Sequence, residues 1–165
     1  TLHCSSAASD VYKRQVLSGA MLTDQGLIEG QAAELLRLRR QLGAAEVGIF
    51  ADVLVKHAYP LAPQPIAEAV EDCLGRAGAD AVIVSGVATG AAPDPKDLDA
   101  ARSSAGGAPV LMGSGCHAGN ATPLAAQADG VIVASSLKRD GLLANPVDPL
   151  RVQALRQTLQ RCQTS

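Results

Sequence analysis

Ala79-Asp-Ala-Val-Ile-Val84 is the stretch that decides the fold, because it returns 49 residues further along as Ala128-Asp-Gly-Val-Ile-Val133. Each copy is a short run rich in β-branched residues, which is typical of a buried strand. Comparable apolar runs predict strands at Val47 to Val55 and Pro109 to Met112, and the second copy predicts a strand at Gly130 to Ala134. Continuous apolar strands of this kind form parallel sheets that other elements cover.

Amphipathic helices are predicted between these strands, from apolar residues at three- and four-residue spacing. Glycine stops the first two of them, and an aspartate followed by proline caps the third and the last. The last helix is expected to bury Val152, Leu155 and Leu159. The predicted helices cover Ile28 to Leu42, Pro65 to Ala77, the segment after Asp94, Thr122 to Gln127, and the segment after Asp148.

Strands that alternate with helices predict an α/β fold with a parallel sheet covered by helices. The repetition of strand–helix units favours a (βα)8 barrel. A doubly wound sheet stays open as the alternative.

Composition narrows the class of protein. Hydrophobic residues make up 47% of the 165 residues and aromatic ones only 2%, so one domain is expected, with a core of Ala, Val, Leu and Ile. A formal charge of −2 argues against a nucleic-acid partner, which usually shows as a basic face. The sequence contains no apolar run of 18 residues, so we expect no integral membrane segment. Peripheral membrane association and homo-oligomer formation stay open.

Four cysteines lie far apart in the sequence, with no C-x-x-C pair. This spacing argues against a zinc site and favours a reduced, cytoplasmic setting. The sequence gives no reason to expect a metal or a cofactor.

Residues 1–15 have neither a helical nor a strand period. Ser5 to Gln15 resembles a read-through artefact at the end of a gene fragment, and such segments are excluded from fold reasoning. We therefore expect the folded domain to cover residues 16–165; an ordinary disordered tail is the alternative.

Polar groups at the C-terminal ends of the strands are the first candidates for a site, because parallel α/β folds bind ligands there. Asp52 and Lys56 fall on one face of the strand that starts at Val47, and His57 follows. An acid and a base are costly to bury unpaired, so we expect ligand-facing or catalytic groups. The alternative is that Asp52 pairs with a neighbouring strand and His57 caps a loop.

Two glycine- and serine-rich loops follow the last two strands. Gly113-Ser114-Gly115 lets backbone N–H groups approach an anion, and Ser135-Ser136 follows the next strand. Together they predict a phosphate site, as in barrels that use the loops after strands seven and eight. The alternative is that they are ordinary turn residues. Further residues expected at the same mouth are Ser18, Asp24, Ser85, Gly86 and Thr89.

With these residues in view, the chain from Val16 to its end resembles the BtpA family. The resemblance is strongest in the thirteen residues from Ser18 to Gly30 and in Ile49-Phe-Ala-Asp-Val-Leu-Val-Lys-His57. It continues through both copies of the repeat, Gly113-Ser-Gly115, Asp140-Gly141 and Pro146-Val-Asp148. Two departures stand out: Ala134 replaces an expected glycine before Ser135, and Cys116-His117 replaces a small residue and a turn.

The resemblance implies the phosphate-binding group of (βα)8 barrels related to ribulose-phosphate binders. It implies that the strands here are numbers five to eight, with Val16-Leu17 the tail of strand four, and that the chain is truncated at its front. The family is named for a cyanobacterial protein needed for photosystem I to accumulate, and its relatives look widespread beyond photosynthetic cells. No reaction comes with the resemblance.

Three functional hypotheses follow. The first is a protein that binds a small phosphorylated ligand; as a lyase, isomerase or hydrolase it would use Asp52 as general acid–base and Lys56 as electrostatic stabiliser or imine former. The second is a non-enzymatic photosystem I biogenesis or stability factor. The third is a fragment without activity of its own, marginally stable or dimeric because its sheet edges are open.

Overall fold

The computed structural model describes residues 17–23, 26–53, 58–86 and 91–163 of the chain. Residues 1–15 therefore lie outside the described part, and so does the prediction made for them. The strands are β1 (Ala20–Thr23), β2 (Gly26–Glu29), β3 (Phe50–Asp52), β4 (Ala58–Pro60), β5 (Ala81–Val84), β6 (Val110–Met112) and β7 (Gly130–Val131). The α-helices are α1 (Ala32–Gln41), α2 (Ile66–Glu71), α3 (Pro95–Ser104), α4 (Ala121–Ala125) and α5 (Pro149–Gln163).

The larger sheet is parallel and has the order β3-β5-β6-β7. Each crossover between neighbouring strands contains helix, so the predicted α/β class with a parallel sheet is confirmed. The four described strands form an open sheet and close no barrel. Among the described residues, no helix is both long enough and apolar enough to cross a membrane.

The hydrophobic core lies on one face of this sheet. Ala51, Val82 and Val110 are in register across three strands and are all buried. The helices add Val70, Leu98, Ala101, Ala121, Leu124 and Leu155 to the same cluster. Leu98 is fully buried, and burial of a leucine side chain stabilises the fold by roughly 1.5–3 kcal/mol. Since side chains alternate along a strand, Phe50, Asp52, Ile83 and Leu111 lie on the opposite face.

The sequence repeat is also a structural repeat, because the aspartate of each copy binds the strand next to it. The Asp80 carboxylate accepts from the Ile49 amide at 2.7 Å, and the Asp129 carboxylate accepts from the Val110 amide at 2.8 Å. In return, the Asp80 amide donates to the Ile49 carbonyl and the Asp129 amide donates to the Val110 carbonyl, both at 2.8 Å. The two aspartates thus satisfy amides at the start of a strand, at the sheet edge away from the predicted ligand site.

Both predicted aspartate caps are confirmed. The Asp94 carboxylate accepts from the Lys96 amide at 2.9 Å, and the Asp148 carboxylate accepts from the Leu150 amide at 2.9 Å. Each helix then begins with the proline that follows the aspartate. The second predicted helix is α2, which continues as a π-helical turn, Asp72–Arg76.

The predicted start of the first helix is wrong. Ile28 belongs to β2, which pairs antiparallel with β1, and β1 also pairs with β4. Gly30 follows β2 and packs closely against the segment that leads into β1, since a side chain there would lie 2.8 Å from the Leu17 carbonyl oxygen; α1 begins two residues later. The apolar stripe of α1 exists, but Leu35, Leu38 and Leu42 are 39, 49 and 70% exposed, and no residue of α1 is buried.

Other boundaries also differ from prediction. The strand β3 begins three residues later than predicted, and the predicted strand residues 54 and 55 lie outside the described part; β7 ends at Val131 instead of Ala134. The short helix α4 begins one residue early, at Ala121. On α5, Leu155 is buried and Leu159 packs on the core, but Val152 is 38% exposed, since no described element covers it.

Candidate functional site

Asp52 and Ser85 meet at the C-terminal edge of the parallel sheet. Asp52 is the last residue of β3, and Ser85 directly follows β5. The Ser85 hydroxyl donates to Asp52 Oδ2 at 3.1 Å. Ser85 is only 6% exposed, whereas Asp52 is half-buried. The predicted acid therefore lies at the expected sheet edge, in contact with a buried serine.

Gly113 makes room for this serine. A side chain at position 113 would collide with Ser85 Oγ and would lie 2.7 Å from Ile83 Cγ2. The Gly113 amide donates to the Val84 carbonyl at 2.8 Å, and this bond continues the ladder between β5 and β6 by one residue. The absence of a side chain at 113 is thus needed for the packing of Ser85.

Ser114 and Gly115 hold the two ends of the segment that follows β5. The Ser114 hydroxyl accepts from the Gly86 amide at 3.2 Å and donates to the Ala91 carbonyl at 2.8 Å. Gly115 has a φ of +75°, and a side chain there would collide with the Ala92 backbone. The space that a side chain would need at either glycine is therefore filled by protein atoms, and the Ser114 hydroxyl donates its one proton to the Ala91 carbonyl.

A cavity of about 470 Å³ opens between the loop after β6 and the loop after β7. Its lining includes His117, Gly119, Ser135, Ser136 and Arg151. Ser135 begins a 3₁₀ turn, Ser135–Leu137, directly after the loop that follows β7. The cavity thus lies at the C-terminal ends of two adjacent parallel strands.

Hydrogen bonds join the two loops around the cavity. The Ser136 hydroxyl donates to the Cys116 carbonyl at 2.7 Å, which ties one loop to the other. Arg151, in the first turn of α5, donates from Nη1 to the Ser136 carbonyl at 3.4 Å, and its Nε lies 3.7 Å from Asp148 Oδ2. The Arg151 side chain is 43% exposed, so its charge can reach both the cavity and solvent.

The loop after β6 is held in shape by its own side chains. The Asn120 carboxamide accepts from the His117 amide at 2.8 Å and donates to the Gly115 carbonyl at 2.8 Å. His117 Nδ1 accepts from the Gly119 amide at 3.1 Å, so the neutral imidazole carries its proton on Nε2. This rim of the cavity is therefore set before any ligand binds.

Two buried thiols are poor nucleophiles. Burial raises the pKa of the Cys116 thiol above its usual range. Burial also raises the pKa of the Cys73 thiol to about 11, with smaller contributions from the carboxylates of Asp72 and Asp52. Both groups are therefore protonated at neutral pH. In the part of the chain that the structure describes, no cluster of His, Cys, Asp and Glu could hold a metal ion.

The structure gathers the predicted site residues into two groups. Asp52, Ser85, Gly86, Gly113 and Ser114 contact one another directly or through one neighbour, while Ser135 and Ser136 line the cavity. Neither Asp52 nor Ser85 lines that cavity. Ser18 lies in the bend before β1. Asp24, Lys56, His57 and Thr89 lie outside the described residues, and the roles expected for them stay predictions.

Arg151 is the cavity residue that the sequence analysis missed. Its position offered one signal: it stands three residues after the capping Asp148, in the first turn of the helix that follows the last strand. On the opposite rim, the sequence analysis singled out only Cys116-His117, as a departure from the family pattern. Neither signal alone places a side chain in a cavity, because both depend on how α5 packs against two loops.

The comparisons with known proteins agree with one another. A model of the BtpA family matches residues 2–161. The chain is 53% identical over 139 residues to the Photosystem I biogenesis protein BtpA of Synechocystis sp., which covers 84% of this chain and 48% of that protein. It is 43% identical over 147 residues to an uncharacterised protein of Thermococcus kodakarensis, with 89% and 55% covered.

Among solved structures, a chain of the Amycolatopsis orientalis BexX/CysO complex aligns at a TM-score of 0.46 and 20% identity, over 84% of this chain and 54% of its own length. The chain spans about half the length of the relatives that it matches.

Proposed function

The chain belongs to the BtpA family, and we propose that it binds a small phosphorylated molecule in the cavity between the ends of β6 and β7. The observation that carries this proposal is the position of Arg151 beside Ser135 and Ser136, in a cavity of about 470 Å³. Its volume lies within the range of roughly 300–1,000 Å³ that small-molecule sites occupy.

The chemistry of the lining favours a phosphate group over a neutral ligand. Guanidinium groups bind phosphate through charge-assisted hydrogen bonds. The Ser135 hydroxyl and the backbone of the loop after β7 add neutral donors on the same side. A phosphate would thus contact Arg151, Ser135 and Ser136, while the rest of the ligand would lie along the 117–119 segment.

Gly113, Ser114 and Gly115, also expected at the phosphate, take a supporting part in this proposal. The space that a side chain would need at these glycines is occupied by Ser85 and by the Ala91–Ala92 backbone, so both glycines serve the packing of the segment after β5. The Asn120 carboxamide links the Gly115 carbonyl to the loop that forms the cavity rim. Gly113 to Gly115 would therefore fix the shape of the site from behind.

We also propose that the sheet is one part of a (βα)8 barrel. In a barrel the helices cover only the outer face, and the core cluster here lies on one face. The relatives are about twice as long as the matched region, and the exposed apolar side chains of α1 offer a surface for further strand–helix units. The doubly wound alternative requires helices on both faces.

A proton-transfer role for Asp52 is a second candidate function. The observation that favours it is the contact between this half-buried carboxylate and a buried serine at the sheet edge where ligands bind. Any turnover of a phosphorylated substrate should then be abolished by Asp52→Asn, with folding spared. An active Asp52→Asn protein would remove this candidate while leaving phosphate binding intact.

A non-enzymatic role is a third candidate, and it is favoured by the 53% identity to a protein named for photosystem I biogenesis. Such a role predicts that the chain restores photosystem I when it replaces the matching region of the Synechocystis protein. It also predicts that Asp52→Asn restores photosystem I equally well, which a catalytic role does not.

The proposed binding function is tested by thermal-shift measurements with a panel of sugar phosphates, nucleotides and inorganic phosphate. A ligand bound only by the native state raises stability by about 2.7 kcal/mol at a hundredfold excess over Kd. Arg151→Gln should remove the shift, whereas Arg156→Gln, the same charge change on the same helix outside the cavity lining, should keep it. No shift with any ligand would contradict the proposal.

A further inference from the structure

We propose that Ser85 is a positioning residue that holds Asp52 as an ionised proton acceptor at the edge of the sheet. The inference rests on the second candidate function, in which Asp52 transfers a proton. Beyond that candidate function, the inference says that Ser85 positions Asp52, that the Asp52 carboxyl is ionised, and that Asp52 therefore accepts a proton before it donates one.

The register of the sheet brings the two side chains together. Asp52 pairs with Ile83, and the Val53 amide donates to the Ile83 carbonyl at 3.0 Å. Ser85 stands two residues after Ile83, so its side chain points to the same face as Asp52. The Ser85 hydroxyl therefore reaches the carboxylate diagonally across two adjacent strands, and both groups lie at their C-terminal ends.

Gly113 fixes the serine from the other side. The register of β5 and β6 continues past Val84 and Met112, which places residue 113 beside Ser85. Any side chain at 113 would collide with Ser85 Oγ. The Ser85 hydroxyl is thus confined between the Asp52 carboxylate at the end of β3 and the Gly113 backbone at the end of β6.

Ser85 differs from other serines of the chain in the group to which its hydroxyl donates. Ser103, Ser114 and Ser136 donate to backbone carbonyl oxygens, which is how a serine satisfies a purely structural need. Ser85 instead donates to a group that titrates. A hydrogen bond to the charged form of a carboxyl favours that form, so Ser85 stabilises the Asp52 carboxylate.

The Cys73 thiol interacts electrostatically with Asp52, because the Asp52 carboxylate contributes to raising the pKa of this thiol to about 11. This thiol stays neutral throughout the range in which carboxylates titrate. A change in the pKa of Asp52 after substitution of Ser85 would therefore not arise from Cys73.

The test is a carbon-13 NMR titration of the 165-residue chain labelled at the aspartate carboxyl carbons, with Asp52 assigned by its absence in Asp52→Asn. Ser85→Ala should raise the pKa of Asp52 on the order of one unit. Ser114→Ala is the matched control, because it removes an equally buried hydroxyl one strand away that does not contact Asp52.

Ser85→Cys covers the case in which Ser85→Ala fails to fold, since it keeps the side chain in place but offers only a weak donor. It too should raise the pKa of Asp52. An unchanged pKa in the folded Ser85 variant would overturn the proposal, and so would an equal rise in Ser114→Ala. The titration reports positioning alone, whereas the Asp52→Asn turnover test reports the function, so the two failures are distinguishable.

Discussion

Asp129→Ala should lower the free energy of unfolding by about 2 kcal/mol, although the carboxylate lies far from the candidate site. The substitution removes the acceptor of the Val110 amide, a contact of 2.8 Å. Val110 is 1% exposed, so water has little access to the amide that is left behind. An unsatisfied buried donor costs about 1–3 kcal/mol and a hydrogen bond to a charged group contributes about 1.5–3 kcal/mol, so a cost of about 2 kcal/mol is expected.

Asp80→Ala is the matched control from the other copy of the repeat. It removes the acceptor of the Ile49 amide and an ion pair with Arg39 at 3.2 Å. This contact is exposed, so water can replace the lost acceptor, and a surface ion pair contributes about 0–1 kcal/mol. We therefore expect Asp80→Ala to cost less than about 1 kcal/mol.

Urea unfolding followed by far-UV circular dichroism measures both costs, compared at equal m values. Asp129→Asn keeps a carbonyl acceptor and should cost less than half as much as Asp129→Ala. A cost for Asp129→Ala no larger than that for Asp80→Ala would refute the reasoning that burial of the strand amide sets the magnitude.

Three further predictions concern the rest of the chain. Gly115→Ala should lower the free energy of unfolding in urea by more than about 2 kcal/mol, because φ is +75° and the added carbon collides with Ala92. Gly119→Ala is its control: the added carbon meets only the His117 ring, so the free energy of unfolding should fall by under about 1 kcal/mol. Stability should fall as pH rises from 9 to 11, by up to about 1.4 kcal/mol per unit, because the unfolded chain loses the Cys73 proton at its ordinary pKa of 9.0 and the folded chain only near 11. Below pH 9 this thiol contributes no slope. Cys73→Ala should reduce the slope measured by pH-dependent urea unfolding, while the buried Cys116 thiol keeps its own contribution; a slope that Cys73→Ala leaves unchanged would contradict the assignment. The chain should self-associate in light scattering through the exposed face of α1, and Leu38→Lys should reduce the association; a monomer at all concentrations would contradict this.

Local signals were enough to predict the parallel sheet and the helix caps. The apolar runs at 81–84 and 110–112 both form strands of the parallel sheet, because a parallel sheet buries apolar side chains on both faces. Asp94 and Asp148 act on amides two residues away, so their role is fixed within one turn. The repeat of Ala79 to Val84 was visible in the sequence, but the aspartate contacts that explain it join residues 19 and 31 positions apart.

Contacts between distant segments explain what the sequence did not predict. The need for a glycine at position 30 depends on the Leu17 carbonyl, and the need for one at position 115 depends on the Ala92 backbone. A glycine needed for packing and a glycine needed for an anion look alike in a sequence. Arg151 lines the cavity only because α5 packs beside the loop after β7.

The central claim is that the cavity between the loops after β6 and β7 binds phosphate. Its most direct test is a titration of the nitrogen-15-labelled chain with inorganic phosphate, followed in proton–nitrogen correlation spectra. We predict saturable shifts of the Ser135, Ser136 and Gly119 amides, which are lost in Arg151→Gln and retained in Arg156→Gln. Spectra that do not change, or shifts that persist unaltered in Arg151→Gln, would contradict it.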